Sequence, residues 1–263
     1  MQHWTFAEVL TSLNSDSKIH LVTTHSMAPW AIPEGKEREN SCRRIFRLAG
    51  KRLENHQNLS KYETAWKSLT VDAGLPYPST AAFATKLSKA EGISVGLCEY
   101  DSQTADEIEG FLSNDDLAGH FSHAILFRGD WRGAIQSPSI WNNTADCLYI
   151  EMDPMRYDTT NHTRKTTHPY NVYPEDLHTL LGSLPQTPKA TVVQLSSFST
   201  VNNNMPLDAQ RDSMVSVLSS KGFQLQGETR VGMQMASFIF TRDLQLQCGD
   251  LQGRFATWLK GIE

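Results

Sequence analysis

The sequence predicts an α/β fold built on a mostly parallel sheet, and three observations carry that prediction. Short apolar, strand-like runs recur at 93–99, 123–130 and 147–152, with helical spacing between them around 104–111 and 134–140. Strand and helix alternating at this interval call for crossover connections, which leave neighbouring strands parallel. The third run ends in Asp153-Pro154, where a residue without an N–H pushes its predecessor out of helical space and stops the strand. Asp153 is therefore expected at the carboxyl end of a buried strand, the edge at which open α/β sheets hold their ligands.

The other elements follow in order. Apolar residues at helical spacing over 6–13 predict a short first helix. Residues 18–24, rich in β-branched side chains, predict the first strand, which runs into His25-Ser-Met-Ala-Pro-Trp30, a turn without glycine. Residues 34–70 are charged and helical, and an insert over 34–90 is expected after the first strand, with Tyr62, Trp66 and Leu69 as an apolar stripe. Arg38, Arg43, Arg44, Arg47, Lys51 and Arg52 give it a basic face. Glu34, Glu37, Glu39 and Glu54 dilute that face, so it reads as a solvated helix surface. Gly74-Leu-Pro-Tyr-Pro-Ser79 is a turn, after which Ser79 or Thr80 caps a helix through Leu87. Beyond the three central runs, 158–176 has the composition of a loop, 177–184 resumes helix and 190–195 is a strand. A helix over 207–220 stops at Gly222, and 223–231 with 236–241 form two closing antiparallel strands. No repeat, low-complexity segment or linker divides the chain, so residues 1–263 are expected to form one domain.

Composition narrows the function. Apolar residues make up 39% and charged residues 20% of the 263, which suits a folded globular chain. A net charge of −5 argues against a constitutively basic nucleic-acid binder and leaves room for a local basic patch. Cys42, Cys98, Cys147 and Cys248 are far apart and lack zinc-ligand spacing, so no metal is expected. Cys98 and Cys147 lie in apolar runs and read as reduced core thiols. With no leader-like apolar segment and no run of membrane-spanning length, a cytoplasmic protein without membrane contact is expected.

Glu99, Asp130 and Asp153 close three successive strand runs and fall on one rim of the inferred sheet. Each could cap the helix that follows, where carboxylates are ordinary. All three together suit a nucleotide ligand equally well, with one carboxylate for ribose hydroxyls, one for an adenine amine and one for the reacting atom. His162, Arg164, Lys165 and His168 make a basic loop after Asp153, either a solvated surface or a phosphate contact. His25 taken alone is a hydrogen-bonded structural histidine, and Trp131 and Trp141 read as core aromatics.

From about residue 18 to 260 the order of these elements resembles the bacterial RlmJ-type methyltransferases, which methylate adenine N6 in large-subunit ribosomal RNA with S-adenosylmethionine. Thr23-Thr-His-Ser-Met-Ala28 lies where that family has Asp-Thr-His-Ala-Gly-Ala-Gly, and Tyr77-Pro-Ser-Thr-Ala-Ala82 is similar to its Tyr-Pro-Gly-Ser-Pro. Cys98-Glu99-Tyr100 matches its strand ending in a ribose-binding Glu, and Gly129-Asp130-Trp131 its Asp-Gly that holds the cofactor adenine. Asp153-Pro154-Met155-Arg156 lies at its catalytic Asp-Pro-Pro-Tyr, and Gly232-Met-Gln-Met-Ala-Ser237 at its Gly-Met-Thr-Ala-Ser-Gly. The resemblance implies a Rossmann-like methyltransferase fold, a seven-stranded mixed sheet with helices on both faces. It also implies that His25, Ser26, Glu99 and Asp130 bind S-adenosylmethionine and that Asp153 and Pro154 orient the acceptor amine. Tyr157 would stand in for the stacking aromatic, while Arg156, His162, Arg164, Lys165 and His168 would meet an RNA or DNA acceptor.

The departures are specific. The family's glycines are replaced by Ser26, Met27, Ala28 and Pro29, with Trp30 next, where backbone should approach the cofactor's methionine moiety. Met155 replaces the second proline, Arg156 stands at the aromatic position and Tyr157 comes one place late. An active methyltransferase, a catalytically silent descendant acting as an interaction module, and a binder of another adenosine-containing ligand all fit these residues.

Overall fold

The computed structural model describes residues 2–13, 17–31, 60–70, 77–87, 93–114, 120–153, 171–200, 205–232, 235–247 and 249–260. Seven strands form one mixed sheet: β1 (Ile19–Thr23), β4 (Ile93–Glu99), β5 (Phe121–Arg128), β6 (Cys147–Met152), β7 (Ala190–Ser199), β8 (Gln224–Val231) and β9 (Met235–Arg242). Their order is β5-β4-β1-β6-β7-β9-β8. Pairing is parallel from β5 through β7, and β9 runs antiparallel to both its neighbours. A separate ribbon pairs β2 (Trp30–Ala31) with β3 (Tyr77–Pro78).

The five residues of β1 are all buried, as the pivot of such a sheet must be. Leu21 lies opposite Val95 on one side and Tyr149 on the other, and Val22 opposite Gly96 and Ile150. Two-residue alternation then assigns each strand side chain to one of two cores. Along β6, Cys147 and Tyr149 enter the first core, whereas Leu148, Ile150 and Met152 enter the second. Along β9, Ile239 enters the first, and Phe238 and Phe240 the second.

The first core is covered by α1 (Gln2–Ser12), α2 (Lys61–Thr70), α3 (Thr80–Leu87), α4 (Ser102–Leu112) and α8 (Leu251–Lys260). Aromatic rings hold this layer together. Tyr62 stacks on Phe83 at 5.2 Å and meets Trp258 edge-on at 5.5 Å, while Trp4 lies 5.1 Å from Phe255. Each such pair adds roughly 1 kcal/mol to what area burial supplies. The second core is covered by α5 (Trp131–Gln136), α6 (Asp176–Ser183) and α7 (Leu207–Ser219). Gly96 on β4 lets the connection between β5 and β6 approach, since a Cβ there would stand 2.8 Å from the carbonyl oxygen of Ile140. Among the described residues no helix is long and apolar enough to cross a membrane.

Most expected elements appear, with shifted ends. Ser79 accepts from the Ala82 N–H at 3.2 Å and caps α3. The helix expected over 134–140 is instead α5 followed by a 3-10 turn, Pro138–Ile140, because Pro138 cannot donate into a continuing helix. First helix α1 starts at Gln2, earlier than its spacing suggested, since His3 and Trp4 also pack inward. Neither the β2–β3 ribbon nor α8 was anticipated. The basic helix face over 38–52 lies outside the described residues. Cys98 and Cys147 are free and buried, and burial pushes the Cys147 thiol up to about 12.

Two histidines are built in neutral. His20, on β1, donates from Nε2 to the Ile140 carbonyl at 2.7 Å, and its Nδ1 accepts from the Ser94 hydroxyl at 2.9 Å. Burial lowers its pKa, and burial pushes His3 down to about 3. Unfolded histidines take up a proton near 6.5 and these two resist it when folded, so the unfolded state binds more protons below that pH. Stability is expected to be undiminished by them above pH 6.5. It should fall by roughly 1.4 kcal/mol per pH unit per histidine as the pH drops from there toward their folded values. Urea unfolding of the wild type and His3→Phe at pH 7, 5.5 and 4.5 checks this, the variant having the shallower slope.

Candidate functional site at the carboxyl rim

Strand order reverses direction at β1: the chain moves outward through β4 to β5, then returns to place β6 on the other side of β1. The crevice at such a switch lies beyond the carboxyl ends of β1 and β6, where the two outgoing connections part. Hydrogen bonds knit four strand ends across this rim. The Thr24 N–H donates to the Glu151 carbonyl and the Ser26 N–H to the Cys98 carbonyl, each at 3.0 Å. The Gly129 N–H donates to the Glu99 carbonyl at 2.8 Å, and the Asp153 N–H reaches the Thr24 hydroxyl at 3.4 Å.

These bonds bring Thr24, His25, Glu99, Asp130 and Asp153 to one edge. His25 Nδ1 lies 2.9 Å from the Thr24 hydroxyl, so one hydroxyl joins the β1 turn to Asp153. Ser26 is buried and its hydroxyl meets that of Thr23, leaving its N–H to tie the turn to β4. Met27 takes φ of +55°, a left-handed conformation costing a side-chain-bearing residue roughly 1 kcal/mol. The turn thus follows a path suited to glycine without having one.

Glu99 is 5% exposed. Its carboxylate accepts from the Asp101 N–H at 2.9 Å and from the backbone of Tyr100 and Met27. Burial raises its pKa above the ordinary glutamate range, against the opposing pull of those N–H groups. Gly129 adopts φ of +138° and turns the chain into Asp130, which caps α5 by accepting from the Arg132 N–H at 3.0 Å. The cap reading and the ligand reading are compatible, because a carboxylate has about four lone-pair directions. Pro154, Arg156, Tyr157, His162, Arg164, Lys165 and His168 lie outside the described residues.

Sequence reasoning gave no role to Thr24, Tyr100 or Arg132. Tyr100 follows Glu99 on the rim and is 52% exposed. Arg132 ion-pairs with Asp130 at 3.1 Å and Asp176 at 2.7 Å. Only the position of Tyr100 beside a strand-end acid was visible beforehand. Trp131 is buried, and the Trp141 indole donates to the Ile135 carbonyl at 3.2 Å, so both serve packing.

No protein-family model and no curated protein matches the chain. Among solved structures it is similar to protein LPL1258 from Legionella pneumophila, at a TM-score of 0.59 and 12% identity over 98% of this chain and 88% of that one. The ribosomal protein L11 methylase from Lactobacillus delbrueckii overlaps at a TM-score of 0.40 and 10% identity, covering 92% of this chain and 78% of its own. A SAM dependent methyltransferase from Aquifex aeolicus overlaps at 0.40 and 9%, covering 89% and 87%. The two overlaps at 0.40 are too distant to carry function. The strand order and the reversed β9 give the chain the Rossmann-like methyltransferase fold, a seven-stranded mixed sheet with helices on both faces.

Proposed function

We propose that this chain binds S-adenosylmethionine at the carboxyl rim and methylates an adenine N6 or similar amine of a nucleic acid. One observation carries the reading: the bonds across β5, β4, β1 and β6 gather Glu99, Asp130 and Asp153 around the switch crevice. The residues fit the adenosine half of the cofactor, with Glu99 toward the ribose and Asp130 toward the adenine amine. They fit the methionine half through backbone, since Met27 already holds the left-handed turn that a close approach uses. When bound, the cofactor supplies an electrophilic methyl group on a positively charged sulfur.

Asp153 accepts a hydrogen bond from the incoming amine and directs its lone pair, while the Thr24 hydroxyl holds the Asp153 backbone to the β1 turn. Alignment is the main catalytic contribution, because a neutral amine in line with its target needs no strong base. By sequence position, Pro154 and Tyr157 complete the amine pocket. Arg156, His162, Arg164, Lys165 and His168 contact the nucleic acid through phosphates.

A second reading, a silent or repurposed descendant of the same fold, is favoured by the Glu99 carboxylate being engaged by backbone N–H groups of its own loops. Thermal unfolding with S-adenosylhomocysteine separates the two. At about 100 times its dissociation constant a ligand stabilises the native state by roughly 2.7 kcal/mol, which raises Tm by several degrees in a chain of this size. That rise is expected in the wild type. Its absence at millimolar ligand would overturn the cofactor assignment and leave the silent reading.

Asp153→Ala is expected to retain the thermal shift and to lose methyl transfer to adenine-containing RNA by at least about a hundredfold. Equal transfer by the variant would remove Asp153 from the mechanism. Met27→Gly should gain roughly 1 kcal/mol in urea unfolding by relieving the left-handed side chain, and should bind S-adenosylhomocysteine no more weakly than wild type. A weaker affinity in that variant would show that the Met27 side chain, rather than the backbone path, makes the contact.

A further inference from the structure

Arg132 sits in the first turn of α5, just beyond Asp130, and its side chain is more enclosed than its partner's, 16% exposed against 40%. Its guanidinium is held from several directions. Nε and Nη2 donate to the two oxygens of Asp176 at 2.8 and 2.7 Å, and Nη2 also donates to the Asn171 carbonyl at 2.9 Å. Asp176 is itself fixed, accepting from the Tyr173 N–H at 2.8 Å. The buried Trp131 ring lies 4.7 Å from the guanidinium carbon. Only Nη1 remains to address Asp130.

The contacts on Asp130 are uneven. Its Oδ1 accepts from the Arg132 N–H at 3.0 Å and from Nη1 at 3.1 Å. Among the described residues, its Oδ2 accepts only the longer bond of 3.3 Å from Nη1. A fork locked onto Asp176 and Asn171 cannot follow the carboxylate, so on a side chain 40% exposed the carboxylate settles against the fork with Oδ1 bonded twice and Oδ2 held by the one longer bond. Capping α5 alone would need nothing beyond the N–H bond. The charge alone could come from a lysine, whose point-like ammonium would not impose an orientation.

We propose that Arg132 is a positioning residue that presents Oδ2 of Asp130 to an exocyclic amine, so that the site selects six-amino purines over purines lacking that amine. The inference rests on the proposed function only in taking Asp130 as the group that faces the adenine ring. The selection follows from the bond itself. An amine donating to an oriented, ionised carboxylate makes a charge-assisted hydrogen bond, and a ring without the amine leaves that oxygen facing carbon.

The experiment compares adenosine with purine riboside, its analogue lacking the amine, by calorimetric titration of wild type, Arg132→Lys, Arg132→Gln and Asp176→Asn. Wild type is expected to prefer adenosine by about tenfold or more. Both Arg132 variants should bring the preference to within about threefold while still binding purine riboside at near wild-type strength. Asp176→Asn breaks the structural pair but leaves Asn171 and Trp131 around the guanidinium. It should lower Tm and, by unpinning the fork, bring the preference part of the way toward that of the Arg132 variants. An unchanged preference in both folded Arg132 variants overturns the role of Arg132 alone. A full wild-type preference in folded Asp176→Asn would show that the pinned fork does not orient the carboxylate and would overturn it too. Failure of wild type to bind either nucleoside would overturn the adenosine site, and this inference with it.

Discussion

Everything at the rim depends on β1 being paired on both sides by strands from opposite halves of the chain. Five buried residues, Ile19–Thr23, bond to β4 and to β6, and no other strand lies between the outward and returning runs of connections. A parallel neighbour on each side fixes where all three strands end. The crevice is therefore a consequence of strand order before any functional side chain is considered.

The turn after β1 is where fold and site meet. It is anchored through Thr24 to β6 and through Ser26 to β4, and Met27 is held left-handed directly after the second anchor. Two backbone bonds to separate strands over-determine the turn, which is the condition under which a strained residue persists. The same turn brings the His25 ring and the Asp153 N–H to a shared hydroxyl, that of Thr24.

The rim acids differ in how fully their oxygens are engaged. Asp130 caps a helix with one oxygen and has the other held only by a longer bond from Arg132, whereas Glu99 is nearly buried and bonded to the loops it joins. Their electrostatics differ accordingly. Glu99 is pushed toward its neutral form by burial, and Asp130 is held beside a guanidinium that is pinned elsewhere. The asymmetry leaves the rim with one carboxylate held against a pinned guanidinium and one packed tightly among its own loops.

Residue type and spacing alone determined the strand runs over 93–99 and 147–152, the Ser79 cap, the antiparallel closing strands and the three acids at strand ends. These depend on local chemistry: alternation, capping oxygens and a proline that stops a strand. The C-terminal helix was also legible in principle, since Leu251, Phe255 and Trp258 recur at helical spacing. Tertiary structure decided the rest. Docking of α8 against Trp4 and Tyr62 joins the two ends of the chain, and no periodicity reveals a partner so far away. The Arg132 fork is equally non-local, because Asp130, Asn171 and Asp176 become neighbours only when α5 and α6 pack on the same face. Periodicity and capping are written in adjacent residues. The orientation of a carboxylate is set by whatever the fold brings beside it.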